Sequence, residues 1–209
     1  KYQLGIFNNY FELSEYILFQ DMIKFFTKNI RKNTLSLNDI QEYILSNKYD
    51  NKNDYEMMLY LQRNIILQEC IRWVNSVGNK MLLFGHNWNG FENISKEFHI
   101  KNKGNLKKEY SKCKYILHVS SNIIDTNLLE ILNKGAIPII YDLRKEDLHY
   151  NSYLNNYCLF FKNKNELVNI LEKGLVPKKK FSPEDFTDYT FSNMSKKIES
   201  IIINEINNK

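Results

Sequence analysis

Cysteine, histidine and long apolar runs are all in short supply in this chain. Its three cysteines, Cys70, Cys113 and Cys158, lie far apart, with no Cys-x-x-Cys pair and no neighbouring histidine. That spacing excludes a thiolate metal box, and an odd set of scattered thiols argues against a disulfide framework, so reduced cysteines in a cytosolic-type compartment are expected. No apolar stretch approaches the about 20 residues that span a bilayer, and the N-terminus lacks the charged-then-apolar pattern of a signal segment. A soluble or at most peripheral protein is expected, cytoplasmic, with the inner face of the membrane as the place it would touch. Also missing are the Walker lysine motif, Gly-x-Gly-x-x-Gly, Gly-x-Ser-x-Gly, His-Glu-x-x-His and an Asp-x-Asp metal pair. Kinase, dehydrogenase and hydrolase readings lose support, and neither a metal nor a cofactor is expected.

What is present is 209 residues, enough to bury a self-sufficient core. The numbering begins at Lys1 rather than Met, which points to a fragment or a processed piece. Lys and Arg total 29 against 24 Asp and Glu, a net +5, but the excess is scattered, so a nucleic-acid partner is not expected. The one dense basic run, Lys178-Lys179-Lys180 after Pro177, reads as a solvated linker face; a phosphate stripe and an anionic membrane are its alternatives.

The periodicity changes along the chain. From Glu12 to about Ile30 apolar residues recur at helical spacing, a second short helix covers Ile40 to Leu45, and a long one follows Asp54 through Val74. Residues 1–77 are therefore expected to form a helical region, part of another lobe or an insertion, able to dock a partner protein. From Lys80 short apolar runs alternate with helix-like segments: Met81 to Phe84, Tyr115 to Val119, Ile137 to Tyr141 and Tyr157 to Phe161, with helices over Leu106 to Lys112, Asn127 to Lys134 and Glu166 to Lys173. Such alternation predicts an α/β fold, a Rossmann-like, mainly parallel sheet with helices on both faces, spanning residues 78–209 and ending in a closing helix within Phe181 to Ile206.

In open parallel sheets ligands sit beyond the carboxyl ends of the strands. The loops there are Gly85-His86-Asn87-Trp88, Ser120-Ser121-Asn122-Ile123-Ile124-Asp125 and Asp142-Leu143-Arg144. Ser120 and Ser121 either cradle a phosphate at a helix N-terminus or only make turn hydrogen bonds while Asp125 or Thr126 caps the helix. Glu130 either accepts hydrogen bonds from the vicinal hydroxyls of a ribose or forms a surface pair with Lys134. Gly85 permits close backbone approach; His86 is a polar candidate there, and Trp88 either stacks on a ligand or packs. His118 reads as a core histidine rather than a base, and Cys113, though flanked by lysines, as an inert thiol.

Four stretches, MLLFGHNW, GNLKKEYSKCKYILHVSS, NLLEILNKGAIPII and DYTFSNMSKKIESII, in this order and spacing resemble the C-terminal domain of a GT-B glycosyltransferase of the glycosyl transferases group 1 class. Leu106, Tyr110 and Lys114 match the family's helix before a strand. Glu130 and Gly135 match its Glu-Ala-x-Ala-x-Gly-x-Pro helix, with Pro138 shifted by one. The resemblance covers about Gly78 to Ile202.

The resemblance implies transfer of a sugar from a nucleotide diphosphate sugar to a saccharide, lipid or protein acceptor. It implies that Glu130 binds the donor ribose, that Ser120, Ser121, Asn122, Asp125, Asn127 and Leu128 surround the diphosphate, and that Gly85, His86 and Asn87 lie near the base. The chain departs from the family at Asn122, where many retaining members have a second glutamate, and at Asn127, where an arginine is frequent. The basic pair that grips the diphosphate is also missing, which leaves backbone N–H groups, Arg144 or residues beyond this chain; no catalytic base is named. The rival reading is a non-catalytic, glycosyltransferase-like binding or assembly module. An epimerase of similar fold lacks its acidic pair and histidine here.

Overall fold

The computed structural model describes residues 2–10, 12–13, 16, 19–32, 35, 37–47, 52–76, 80–91, 98–101, 104–119, 126–143, 154–182, 184 and 199. Six parallel strands build the sheet: β1 (Tyr2–Phe7), β2 (Met81–Phe84), β3 (Phe98–Lys101), β4 (Cys113–His118), β5 (Ile137–Tyr141) and β6 (Leu159–Phe161). Their order is β3-β2-β1-β4-β5-β6, so the chain starts in the middle, builds one half outwards, then returns to build the other. This is the doubly wound arrangement, with its topological switch between β1 and β4. The α/β, Rossmann-like, parallel sheet with helices on both faces is thus the observed architecture.

Alternation of side chains divides the core. Leu4, Ile6, Met81, Leu83, Tyr115, Leu117, Ile139 and Phe161 point to one face, where α1 (Gln20–Lys32), α2 (Leu37–Ser46), α3 (Lys52–Asn75) and α6 (Lys164–Lys173) cover them. Leu82 and Ile116 point to the other, beneath α4 (Leu106–Tyr110) and α5 (Thr126–Asn133). On this second face a Cβ at Gly5 would stand 2.6 Å from both Cys113 Sγ and Phe7 Cε2, so the absence of a side chain there is what lets Phe7 turn edge-on to Tyr110 at 4.5 Å.

Strands β1 and β3 are additional to the four that the alternation marks. Residues 1–77 do not stand apart from the sheet: β1 pairs with both β2 and β4, and Lys1–Lys179 forms one compact unit. The expected division at 77/78 therefore falls inside that unit. A second unit is Lys180–Lys209, of which Lys180, Phe181, Ser182, Glu184 and Glu199 are described. The closing helix expected within 181–206 lies outside the described residues, apart from helical Glu199.

Helix α3 is buried on nearly every side between Leu61 and Ile71, because it lies between the sheet and α1. Two of its buried polar side chains are held by hydrogen bonds: Glu69 takes two from Arg31, at 3.0 and 2.7 Å, and one from Arg72 at 2.6 Å. Asn64 donates to Tyr60 O and accepts from Asn8. Arg63 is the exposed exception in this stretch. No helix among the described residues is long and apolar enough to cross a membrane.

Candidate functional site

The carboxyl ends of β1, β2 and β4 open on two neighbouring cavities that share Phe7, Asn8 and Leu106. The first, about 80 Å³, is lined in addition by Arg63 and Leu67 of α3, by His118 and Val119 at the end of β4, and by Asn127 and Ile131 of α5. The second, about 230 Å³, takes in Asn9, Phe84, Gly85 and His86. Together they occupy the switch between β1 and β4, the place where an open α/β sheet leaves its strand ends uncovered.

The loops at the mouth are tied to one another. Trp88 Nε1 donates to Asn8 O at 2.8 Å, His86 N donates to Asn9 Oδ1 at 2.9 Å, and Tyr10 N donates to His86 O at 2.9 Å. Gly85 has φ 141°, and a Cβ there would meet Asn8 O at 2.1 Å, so only glycine allows the loop after β2 to close on the loop after β1. Trp88 is buried and packs with Tyr10 and Phe91, which settles its role as packing. Asn87 is exposed at φ 67° just before the 3-10 turn Trp88–Gly90, and does not line either cavity.

The electrostatics favour an anion. Among the described residues neither cavity is lined by a carboxylate, whereas Arg63 and the amino end of α5 both face the first. Arg63 is exposed and no ion pair engages it among the described residues. A helix amino end carries roughly half a positive charge, so a cation beside it adds to the same field.

Of the sequence candidates, Gly85, His86 and Asn127 line the cavities. Leu128 has a fully buried side chain and lines neither cavity. Glu130, one turn after Asn127, does not line the crevice; its Oε1 is 3.0 Å from Lys107 Nζ, with the side chains 36% and 60% exposed. Such a pair is worth at most about 1 kcal/mol, so Lys107 is readily given up to a better partner. His118 is buried at the cavity wall. Ser120, Ser121, Asn122, Asp125 and Arg144 lie outside the described residues.

Arg63 escaped the sequence reading, since α3 comes long before the strand-end loops and only the sheet order brings it there. No group of three or more metal-binding side chains occurs among the described residues. All three thiols are buried, and burial pushes Cys158 up to about 12 and Cys70 well above the ordinary thiol range.

Fold and crevice place this chain in the class of doubly wound α/β proteins with a switch-point crevice. No family model matches it, and no curated protein does. A solved structure described as "Crystal structure of GtfA/B complex" is similar at 15% identity with a TM-score of 0.34, over 49% of this chain and 25% of that one. The chain thus spans about a quarter of that chain's length.

Proposed function

We propose that this chain carries the donor-binding half of a glycosyltransferase, taking a nucleotide diphosphate sugar at the crevice between β1 and β4. The observation that carries the reading is a crevice at the switch point with no carboxylate among its described lining residues, with Arg63 and the start of α5 at one end and the Gly85–His86 loop at the other. The narrower cavity suits phosphate groups; the wider one leaves room for the base. In this reading Glu130 releases Lys107 and accepts hydrogen bonds from the ribose diol, while the departing diphosphate is stabilised by Arg63 and the N–H groups of α5. The base that deprotonates the acceptor lies outside this chain, and the donor is held without a tightly bound metal.

A thermal-shift comparison of UDP, GDP, CDP and dTDP with the matching nucleosides tests this. Stabilisation by one diphosphate and not by its nucleoside is expected; equal, null responses to all would remove the proposal. A non-catalytic assembly module is the second reading, favoured by Leu45 of α2, an aliphatic side chain left 79% exposed.

A further inference from the structure

The end of the sheet opposite the crevice carries a surface that nucleotide binding does not use. Helix α6 follows β6 and runs back against the strands, so its carboxyl end lies at their amino ends. There the chain turns at Gly174, φ 64°, and presents Leu175 and Val176, 37% and 66% exposed. The turn is pinned on three sides. Leu175 N donates to Ile170 O at 3.1 Å, Tyr115 Oη donates to Leu175 O at 2.7 Å, and Lys179 N donates to Asn156 O at 2.8 Å. Lys114 Nζ adds a bond to Gly174 O at 3.3 Å. A segment held this firmly does not expose aliphatic side chains for want of anchoring.

Around this tip stand Lys173, Lys178 and Lys179, all exposed, with Glu172 as the one carboxylate on the adjoining turn of α6. Two aliphatic side chains ringed by lysines match an interface that is apolar below and anionic above. The aliphatics reach the boundary between headgroups and acyl chains while the lysines stay with the phosphates. A nucleic acid would use the lysines but leave Val176 idle in water, and none of residues 173–179 is aromatic for a base to stack on.

We propose that the turn from Lys173 to Lys179 docks on an anionic lipid surface, with Leu175 and Val176 inserted and Lys173, Lys178 and Lys179 on the headgroups. The crevice at the other end of the sheet then stays open to solution. This inference is independent of what the crevice binds.

The test is co-sedimentation of the full chain with vesicles of phosphatidylcholine and phosphatidylglycerol in equal parts, against phosphatidylcholine alone. Binding to the anionic vesicles only is expected, weakened by salt. It should fall about fivefold or more in Val176→Ser and, separately, about tenfold or more in Lys178→Ser/Lys179→Ser. All three side chains are exposed, so unchanged thermal unfolding verifies that the variants are folded. No preference for anionic vesicles, undiminished binding by both variants, or capture by duplex DNA in place of vesicles would each overturn the proposal.

Discussion

Trp88 donates its indole N–H to the carbonyl of Asn8 at 2.8 Å, one of the bonds that join the loop after β2 to the loop after β1 across the mouth of the crevice. The tryptophan therefore shapes the site from behind, through the position of Asn8. Trp88→Phe keeps most of the buried ring and strands the Asn8 carbonyl. A loss of about 1–3 kcal/mol in unfolding free energy is expected, read by urea denaturation; an unchanged midpoint would mean the bond holds nothing in place.

Gly85 and Gly135 both have positive φ, 141° and 71°, but differ in what surrounds them. A Cβ at Gly85 runs into Asn8 O, whereas nothing lies within 4 Å of one at Gly135. Gly85→Ala should therefore cost about 2–4 kcal/mol, and Gly135→Asn, which tolerates a left-handed helix end, less than about 1 kcal/mol. Equal thermal shifts in the two variants would refute the close approach at Asn8.

Gly5 makes a separate case, because its constraint is space. Gly5→Ala pushes a methyl group against Cys113 Sγ and the Phe7 ring in the middle of the sheet. The expected loss is about 1–3 kcal/mol from overpacking, visible as a lower melting temperature.

Much of this architecture was legible. The apolar runs of β2, β4, β5 and β6 and the periodicity of α3 and α5 survive in the structure because apolar residues dominate the faces each buries. β1 was not, since Gln3 and Gly5 interrupt its apolar residues, and both owe their presence to tertiary partners: Gln3 bonds Leu171 O, and Gly5 makes room for Cys113 and Phe7. β3, an edge strand with His99 and Lys101 outside the core, gave no apolar run to find. With β1 hidden, α1 to α3 read as a region of their own, and Arg63 could not be connected with Gly85 and Asn127. The site's polar loops were locatable from the strand ends; the cation was not, because its place depends on sheet order.

Arg63→Gln keeps the shape of the α3 side chain's stem and removes its charge. If the crevice takes a diphosphate, affinity should fall by about 1–2 kcal/mol, and the gap between variant and parent should narrow as salt rises. A salt-independent difference would assign Arg63 a packing role.

Acid stability should depend on Glu109. Burial alone would raise its carboxyl, but hydrogen bonds and charge from Lys101 and Lys112 outweigh it and hold the group below the ordinary glutamate range. A carboxyl depressed in the folded state contributes stability that is whole above its unfolded value and fades as pH falls through the folded one. The stability advantage of the parent over Glu109→Gln should accordingly shrink from about pH 5 downward, measured by urea midpoints across that range. An advantage constant with pH would contradict the assignment.

The most direct measurement is calorimetric titration of the chain and of Glu130→Ala with UDP, GDP, CDP and dTDP. Base-selective binding by the parent, weakened by about 1–3 kcal/mol in the variant, is the predicted result, since in the proposed reading the substitution removes a charged acceptor from the ribose. Absence of binding to all four by the folded parent chain would contradict the donor-site account and move the assembly-module reading into its place.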